Sequence, residues 1–435
     1  MAHETQTRTK IPSCDSYFDT IQSRKRLPFP LQEALTTAFS QIPVSSFPDV
    51  PSGKVVEIEA ETSIVDAVRI LSENKIMAAP VRNSGVSDVG DWKERYLGVI
   101  DYSAVILWVM ENAELAAVAL SAGSATAAGV GLGAVGALGA VALGATGPVA
   151  VAGLTAAAVG AAVAGGFVAE RGMGRDAPTA ADHLGEDFYK LLQKEEPFKS
   201  TTVKTIIESY RWAPFLPVSP DTSMLTVLLL LSKYRLRNVP VIEMGKPGIQ
   251  NFITQSAVIQ GLRHCKGRDW FDTIASHPLS YLGLPFMSAN EVITVKGNEL
   301  ILEAFKRMKD NRIGGLPVTE ESSRKIVGSV SIHDIRYLLL MPGLFSNFRQ
   351  LTVMDFLNAM GASRSLVTCK SDDCLGIVID RLASESSHRV YVVDGDDSEL
   401  VGVVTLRDVI SCFVYEPPGH FDAYFVFSMQ DALSQ

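Results

Sequence analysis

The chain has few of the marks of a secreted protein or a familiar enzyme. Its five cysteines (Cys14, Cys265, Cys369, Cys374 and Cys412) are scattered, odd in number and never spaced C-x-x-C. That argues against a disulfide framework or a zinc site and predicts a reducing compartment. The first thirty residues contain no apolar h-region, and position 2 is Ala2 rather than glycine. Neither a secretory leader nor a myristoyl anchor is therefore predicted. Positive charge is also short: the net charge is −9. A chain with this balance does not release phosphate counterions on a large scale, which argues against nucleic acid as its main partner. A local basic pocket for one small phosphate ligand remains compatible with it. No G-x-x-x-x-G-K-[ST] loop, kinase H-R-D loop or H-E-x-x-H pair occurs, so binding without turnover is the simpler reading.

Charge is missing altogether from Leu115 to Ala169, 55 residues dominated by Ala, Gly, Val and Leu. The length would allow two membrane spans, and Gly129 and Gly133 form a G-x-x-x-G. Large apolar residues are sparse, however, which favours a compositionally biased surface insertion. A membrane hairpin or an apolar docking helix is the alternative.

What the sequence does contain is an internal repeat. One copy runs from Val292 through Arg312-Ile-Gly-Gly-Leu-Pro-Val318 to Ser331-Ile-His-Asp334. The next runs from Leu366 through His388-Arg-Val-Tyr-Val to Thr405-Leu-Arg-Asp408. Two earlier copies run from Val55 through Pro80 to Asp101 and from Phe215 through Pro240 to Thr254. Each has a short apolar strand, then a helix with apolar residues at i, i+3 and i+4 (Ile64, Ala67, Val68 and Leu71 in the first). A buried strand and a final strand–helix junction follow. Such alternation predicts an α/β fold. Pro240 and Pro317 are 77 residues apart and Pro317 and Tyr391 are 74 apart, but Pro80 and Pro240 are 160 apart. The excess falls on the uncharged run and its polar sequel, so these form an insertion between the first two copies.

This grammar resembles the cystathionine-β-synthase (CBS) domain. Four copies in one chain resemble the gamma subunits of the AMP-activated and sucrose-non-fermenting-related protein kinases, the plant type above all. The resemblance covers roughly residues 50–110 and 205–415. It implies an α/β fold of four tandem CBS repeats, forming two stacked pairs in a disc, with the Ala/Gly-rich insertion between repeats 1 and 2. The expected divisions are an N-terminal extension at 1–50, repeat 1 at 51–111, the insertion at 112–204 and repeat 2 at 205–264. A linker at 265–288, repeat 3 at 289–345, repeat 4 at 346–415 and a tail at 416–435 complete the chain.

The family's ligand motif is Ser/Thr-x-x-Asp at the last strand–helix junction. A carboxylate there accepts both ribose hydroxyls, the hydroxyl residue caps the helix, and the helix start favours an anion. Ser331 and Asp334 match it in repeat 3, and Thr405 and Asp408 in repeat 4. Repeats 1 and 2 depart from it, with Asp101-Tyr-Ser-Ala104 and Thr254-Gln-Ser-Ala257. Nucleotide binding is therefore expected in the second pair. His388-Arg389 matches a His-Arg pair that the family uses on phosphates, for which the planar arginine fork is suited. Arg312 holds a similar place in repeat 3, and Arg407 and His333 lie inside the motifs. No metal ligand or catalytic residue is assigned.

The resemblance implies a non-catalytic subunit that senses AMP, ADP or ATP. It implies a catalytic alpha and a scaffold beta subunit as partners, a role in carbohydrate, nitrogen and lipid metabolism, and a location in the cytoplasm with the nucleus as a second compartment. Two rivals stay open: a CBS-repeat adaptor that has lost nucleotide sensing, and a membrane-associated regulatory module. Three local expectations complete the reading. Residues 31–39 form an amphipathic helix, Arg24-Lys-Arg26 is a solvated basic patch, and the aromatic stretch from Phe421 to Phe427 is a docking strand.

Overall fold

The computed structural model describes residues 16–51, 53–86, 92–105, 201–209, 215–243, 245–340, 350–360, 366–395 and 398–421. The uncharged run at 115–169 and the aromatic tail beyond residue 421 lie outside them. Among the described residues, no helix is long and apolar enough to cross a membrane.

Two helices come first, α1 (Ser16–Arg24) and α2 (Phe29–Gln41). Repeat 1 comprises β1 (Ile58–Glu59), α3 (Ile64–Glu73), β2 (Ala78–Arg82) and β3 (Tyr96–Asp101). The lead-in helix α4 (Val203–Ser209) precedes repeat 2, which comprises α5 (Met224–Ser232), β4 (Asn238–Val241), β5 (Asn251–Thr254) and α6 (Gln255–Arg263). Short helices α7 (Asp269–Ala275) and α8 (Leu279–Leu282) occupy the aromatic linker. Repeat 3 has β6 (Val295–Lys296), α9 (Ile301–Asp310), β7 (Gly315–Thr319), β8 (Ile326–Ser331) and α10 (Ile335–Leu340). After α11 (Val353–Ala359), repeat 4 has β9 (Thr368–Cys369), α12 (Leu375–Ser384), β10 (Arg389–Asp394), β11 (Glu399–Thr405) and α13 (Leu406–Cys412).

The periodicity read from the sequence is the burial pattern of the first helices. Ile64, Ala67, Val68 and Leu71 are the buried face of α3. Ile301, Ala304, Phe305 and Met308 repeat that spacing in α9, and Leu375, Val378, Ile379 and Leu382 repeat it in α12. A stripe at i, i+3, i+4 and i+7 faces one core. Helix α5 has no polar face, and all nine of its residues are buried, between α2 and α13. In repeats 1, 3 and 4 the first strand pairs parallel with the second, and the second pairs antiparallel with the third.

The four repeats close into the stacked arrangement that the resemblance implied. Helix α3 packs against α10, so repeats 1 and 3 share one core that includes Val68, Ile100, Phe305 and Phe356. Helices α5 and α6 pack against α12 and α13, so repeats 2 and 4 share another. Sheet-side clusters complete the ring. Tyr96 and Val99 meet Ile242 and Phe252 between repeats 1 and 2, and Ile326 meets Tyr391 and Leu400 between repeats 3 and 4. The lead-ins cross within each pair. Pro43 bridges to Ser223 and Thr202 to Ser63, while Pro278 bridges to Cys374 and Thr352 to Leu300. Each lead-in thus docks on the other member of its own pair, which ties the two repeats together.

The amphipathic helix read at 31–39 is the interior of α2. The basic patch is not solvated throughout. The half-buried Lys25 donates from its ammonium to the carbonyls of Ser411 and Val414 at 3.3 and 2.7 Å, and the loss of water around it holds its pKa down at about 8. The two carbonyls near a helix end offset only part of the cost of taking the charge out of water, which is why its pKa is lowered.

Candidate functional site

The strand registers make equivalent positions unambiguous. Ala78 pairs with Asp101, Asn238 with Thr254, Gly315 with Ser331, and Arg389 with Thr405. The second member of each pair stands where the last strand gives way to a helix. Asp101 Oδ1 accepts from the amides of Ser103 and Ala104, and Thr254 Oγ1 accepts from the Ala257 amide. Thr405 Oγ1 accepts from the Asp408 amide at 3.3 Å. The junction is therefore a helix cap in these repeats, and only repeats 3 and 4 place a carboxylate three residues on.

Both carboxylates are buried. Asp334 Oδ2 accepts from the Ser331 amide at 2.8 Å. Asp408 Oδ2 accepts from the Thr405 amide and hydroxyl, each at 2.8 Å. Burial raises the pKa of Asp408, with the Thr405 bonds opposing it. The other Asp408 oxygen faces α1, where the Tyr17 hydroxyl lies 3.4 Å away. The two motif carboxylates thus have different surroundings.

Arg389 leaves its strand toward repeat 3, over two glycines. A Cβ on Gly315 would lie 2.1 Å from Arg389 Nη1, and one on Gly314 would lie 3.2 Å from Nη2. The Gly-Gly pair is thus the floor on which the guanidinium rests, and any side chain at 315 would displace it. His388, beside it, stacks edge-on to His333 with ring centroids 5.1 Å apart. His333 in turn meets the buried Tyr102 ring of repeat 1 at 5.6 Å, and its Nδ1 lies 3.3 Å from Ser331 Oγ. Ser331, Asp334, His333, His388 and Arg389 therefore gather at one centre.

Arg312 lies at the edge of this centre. Its backbone is left-handed (φ 53°), at the turn after α9, and Gly315 rather than Arg312 takes the register position of Arg389. It lines a narrow cleft with Ser103, Arg237 and Lys309. Thr405, Asp408 and Arg407 lie apart, on the side covered by α1.

Sequence reading missed Arg237. It donates to Asp101 Oδ2 and Ser103 Oγ, both at 2.6 Å, joining repeat 2 to the cap of repeat 1. Its charge also reaches His333 and His388. The signal was available: Arg237 stands three residues before Pro240, as His388 stands three before Tyr391. Arg336 was missed as well. It stacks on Tyr337 at 4.8 Å and acts on His333.

Burial is the main cause that keeps both imidazoles neutral. The pKa of His333 falls well below the ordinary range, through burial and then the charges of His388, Arg389, Arg336 and Arg237. That of His388 falls to about 4, through burial and then Arg389 and Arg237. Arg389, Arg237 and Arg336 face this centre with Asp101 and Asp334 as the carboxylates beside them, and a phosphate group would compensate the remaining positive charge. A pH dependence follows. The unfolded chain binds a proton near pH 6.5 that the folded His388 refuses until about pH 4. This contribution to stability is complete above pH 6.5 and is lost as pH falls toward 4. Thermal unfolding between pH 7 and pH 5 should show falling stability, and His388→Gln should flatten that fall.

Comparison with known proteins agrees with this architecture. The CBS domain family matches residues 207–264, 286–340 and 354–415, so the chain is a tandem CBS-domain protein. An Arabidopsis thaliana protein, SNF1-related protein kinase regulatory subunit gamma-1-like, is 63% identical over 439 residues, covering 99% of this chain and 98% of the relative. The SNF1-related protein kinase regulatory subunit gamma-1 of the same plant is 33% identical, covering 90% and 86%. The human 5'-AMP-activated protein kinase subunit gamma-3 is 26% identical over 230 residues, covering 52% of this chain and 45% of the relative. The chain belongs to the family of SNF1-related protein kinase regulatory gamma subunits.

Proposed function

We propose that this chain is the non-catalytic gamma-type subunit of a heterotrimeric Ser/Thr protein kinase and that it senses AMP, ADP and ATP at the centre where repeats 2, 3 and 4 meet. The observation that carries the reading is the convergence of His333, His388, Arg389 and Arg237 beside the buried Asp334. In this reading Asp334 and Ser331 hold the ribose, the arginines hold the phosphates by charge, and the neutral imidazoles serve as hydrogen-bond donors. The fork of Arg389 suits a phosphate geometrically, and its glycine floor leaves room for the guanidinium beside Gly314 and Gly315.

A nucleotide regulates only through its unequal affinity for two states. AMP and ATP differ in charge and in phosphate length, so they engage different numbers of the groups around Arg389. The groups come from both pairs of repeats, so occupancy bears on how the pairs sit together. Family membership supports a catalytic alpha and a scaffold beta subunit as the partners that read this out, in the control of carbohydrate, nitrogen and lipid metabolism. The adaptor reading draws on Ala104 and Ala257, which replace the carboxylate in repeats 1 and 2.

Reconstitution with alpha and beta kinase subunits separates the readings. The sensor reading expects kinase activity, or its protection from dephosphorylation, to change with the AMP:ATP ratio, and expects Asp334→Ala to blunt that response. Assembly with no nucleotide response would favour the adaptor.

A further inference from the structure

Repeat 4 carries a complete ligand motif, yet its carboxylate is shut in by the chain's own N-terminal helix. Tyr17 on α1 presents its hydroxyl to Asp408 Oδ1 at 3.4 Å. The same phenol ring lies against the Arg407 guanidinium, 5.4 Å from ring centroid to its central carbon. Arg407 Nε donates to the Ser232 carbonyl at 2.7 Å, which holds that guanidinium beneath the ring. Two polar groups of the motif region therefore meet a single side chain from far away in sequence.

The helix is fastened along the length of α13. Tyr17 meets the start of α13, and Lys25, just past the end of α1, donates to the carbonyls of Ser411 and Val414 at the other end. Phe18 and Ile21 are buried in the core shared by repeats 2 and 4. Arg24 makes a two-pronged pair with Glu291, at 2.9 and 3.1 Å, and also reaches the Phe286 carbonyl. The Arg24–Glu291 pair is exposed, and exposed pairs hold weakly and are screened by salt. Tyr17 itself is only half-buried, and its hydroxyl sits at the long end of hydrogen-bond range. Tyr17 is thus a replaceable partner at the end of a helix that two apolar residues anchor.

We propose that α1 is a built-in cover over the Asp408 side of repeat 4, and that Tyr17 and an incoming ribose compete for the same carboxylate oxygen. In the covered state the chain binds adenylate only at the centre around Asp334 and Arg389. When α1 lifts, a second site becomes available, with Asp408 and Thr405 reading the sugar. Lifting also exposes Phe18, Ile21 and the α13 surface beneath them, so ligand occupancy and the docking of the N-terminal segment are mutually exclusive. The cover rests on the nucleotide reading given above and extends it to regulation of a second site.

Calorimetric titration of the full chain with AMP tests this, comparing the unmodified chain, Tyr17→Ala, Tyr17→Phe and Tyr17→Ala/Asp408→Ala. The expected result is one additional binding event in Tyr17→Ala, or at least a tenfold tighter second event, that disappears in the double variant. Tyr17→Phe keeps the ring on Arg407 and loses only the hydroxyl, so it should fall between the two single-state extremes. Far-UV circular dichroism and thermal unfolding establish that each variant is folded. Equal stoichiometry and affinity in the unmodified chain and Tyr17→Ala would overturn the cover alone. So would a gained event that survives the loss of Asp408. Silence of all four proteins toward AMP would overturn both the cover and the nucleotide reading.

Discussion

Replacing Arg389 by alanine is expected to weaken AMP binding by about 1.5–3 kcal/mol, a loss of roughly ten- to more than a hundredfold. The magnitude follows from removing hydrogen bonds between a guanidinium and a phosphate, which are stronger than neutral ones. It holds here because Arg389 is positioned before any ligand arrives. Its floor is Gly314 and Gly315, and its flank is the His388–His333 pair. A preorganised fork loses little entropy on binding. Arg389→Lys should recover only part of the affinity, since a point charge replaces a bidentate donor. Calorimetry on folded variants measures both. An Arg389→Ala chain that binds AMP as the unmodified chain does would remove the guanidinium from the site.

The second large effect concerns the fold on which the site depends. Phe305→Ala is expected to lower stability by roughly 3–5 kcal/mol, as buried aromatic truncations do when the cavity does not collapse. Phe305 is fully buried on α9 and meets Phe356 of α11 edge-on at 6.2 Å. Its core also takes in Val68, Val81 and Ile100 of repeat 1. The damage should therefore spread beyond repeat 3. Denaturant unfolding should show the loss in the midpoint, and amide exchange should show reduced protection in β2 of repeat 1 as well as in β7. Loosening confined to repeat 3 would mean that the two repeats do not share a core.

Much of the repeat architecture could be read from the sequence, because each repeat encodes its elements locally. The apolar stripe of α3 returns in α9 and α12 with the same spacing, and a helix with one apolar stripe has one way to face a core. The strand–helix junctions were legible for the same reason: a cap residue and a carboxylate three positions on occupy one turn. Arg237 was less visible, because its partners Asp101 and Ser103 lie 136 and 134 residues away. Lys25 looked like surface because charge ordinarily is surface. Only the fold brings it to the carbonyls of Ser411 and Val414. Helix α1 gave little warning of its place, since its contacts with Asp408 and Glu291 are set by the closed ring and not by its own pattern. The crossing lead-ins were hidden likewise, as single-residue bridges carry no periodicity.

The most direct test of the account is a structure of the chain with AMP bound. The account predicts ligand at the centre, with the ribose hydroxyls on the Asp334 carboxylate and the phosphate among His333, His388 and Arg389. Ligand held only between repeats 1 and 2, at Ala104 or Ala257, or no ligand at saturating AMP, would contradict it.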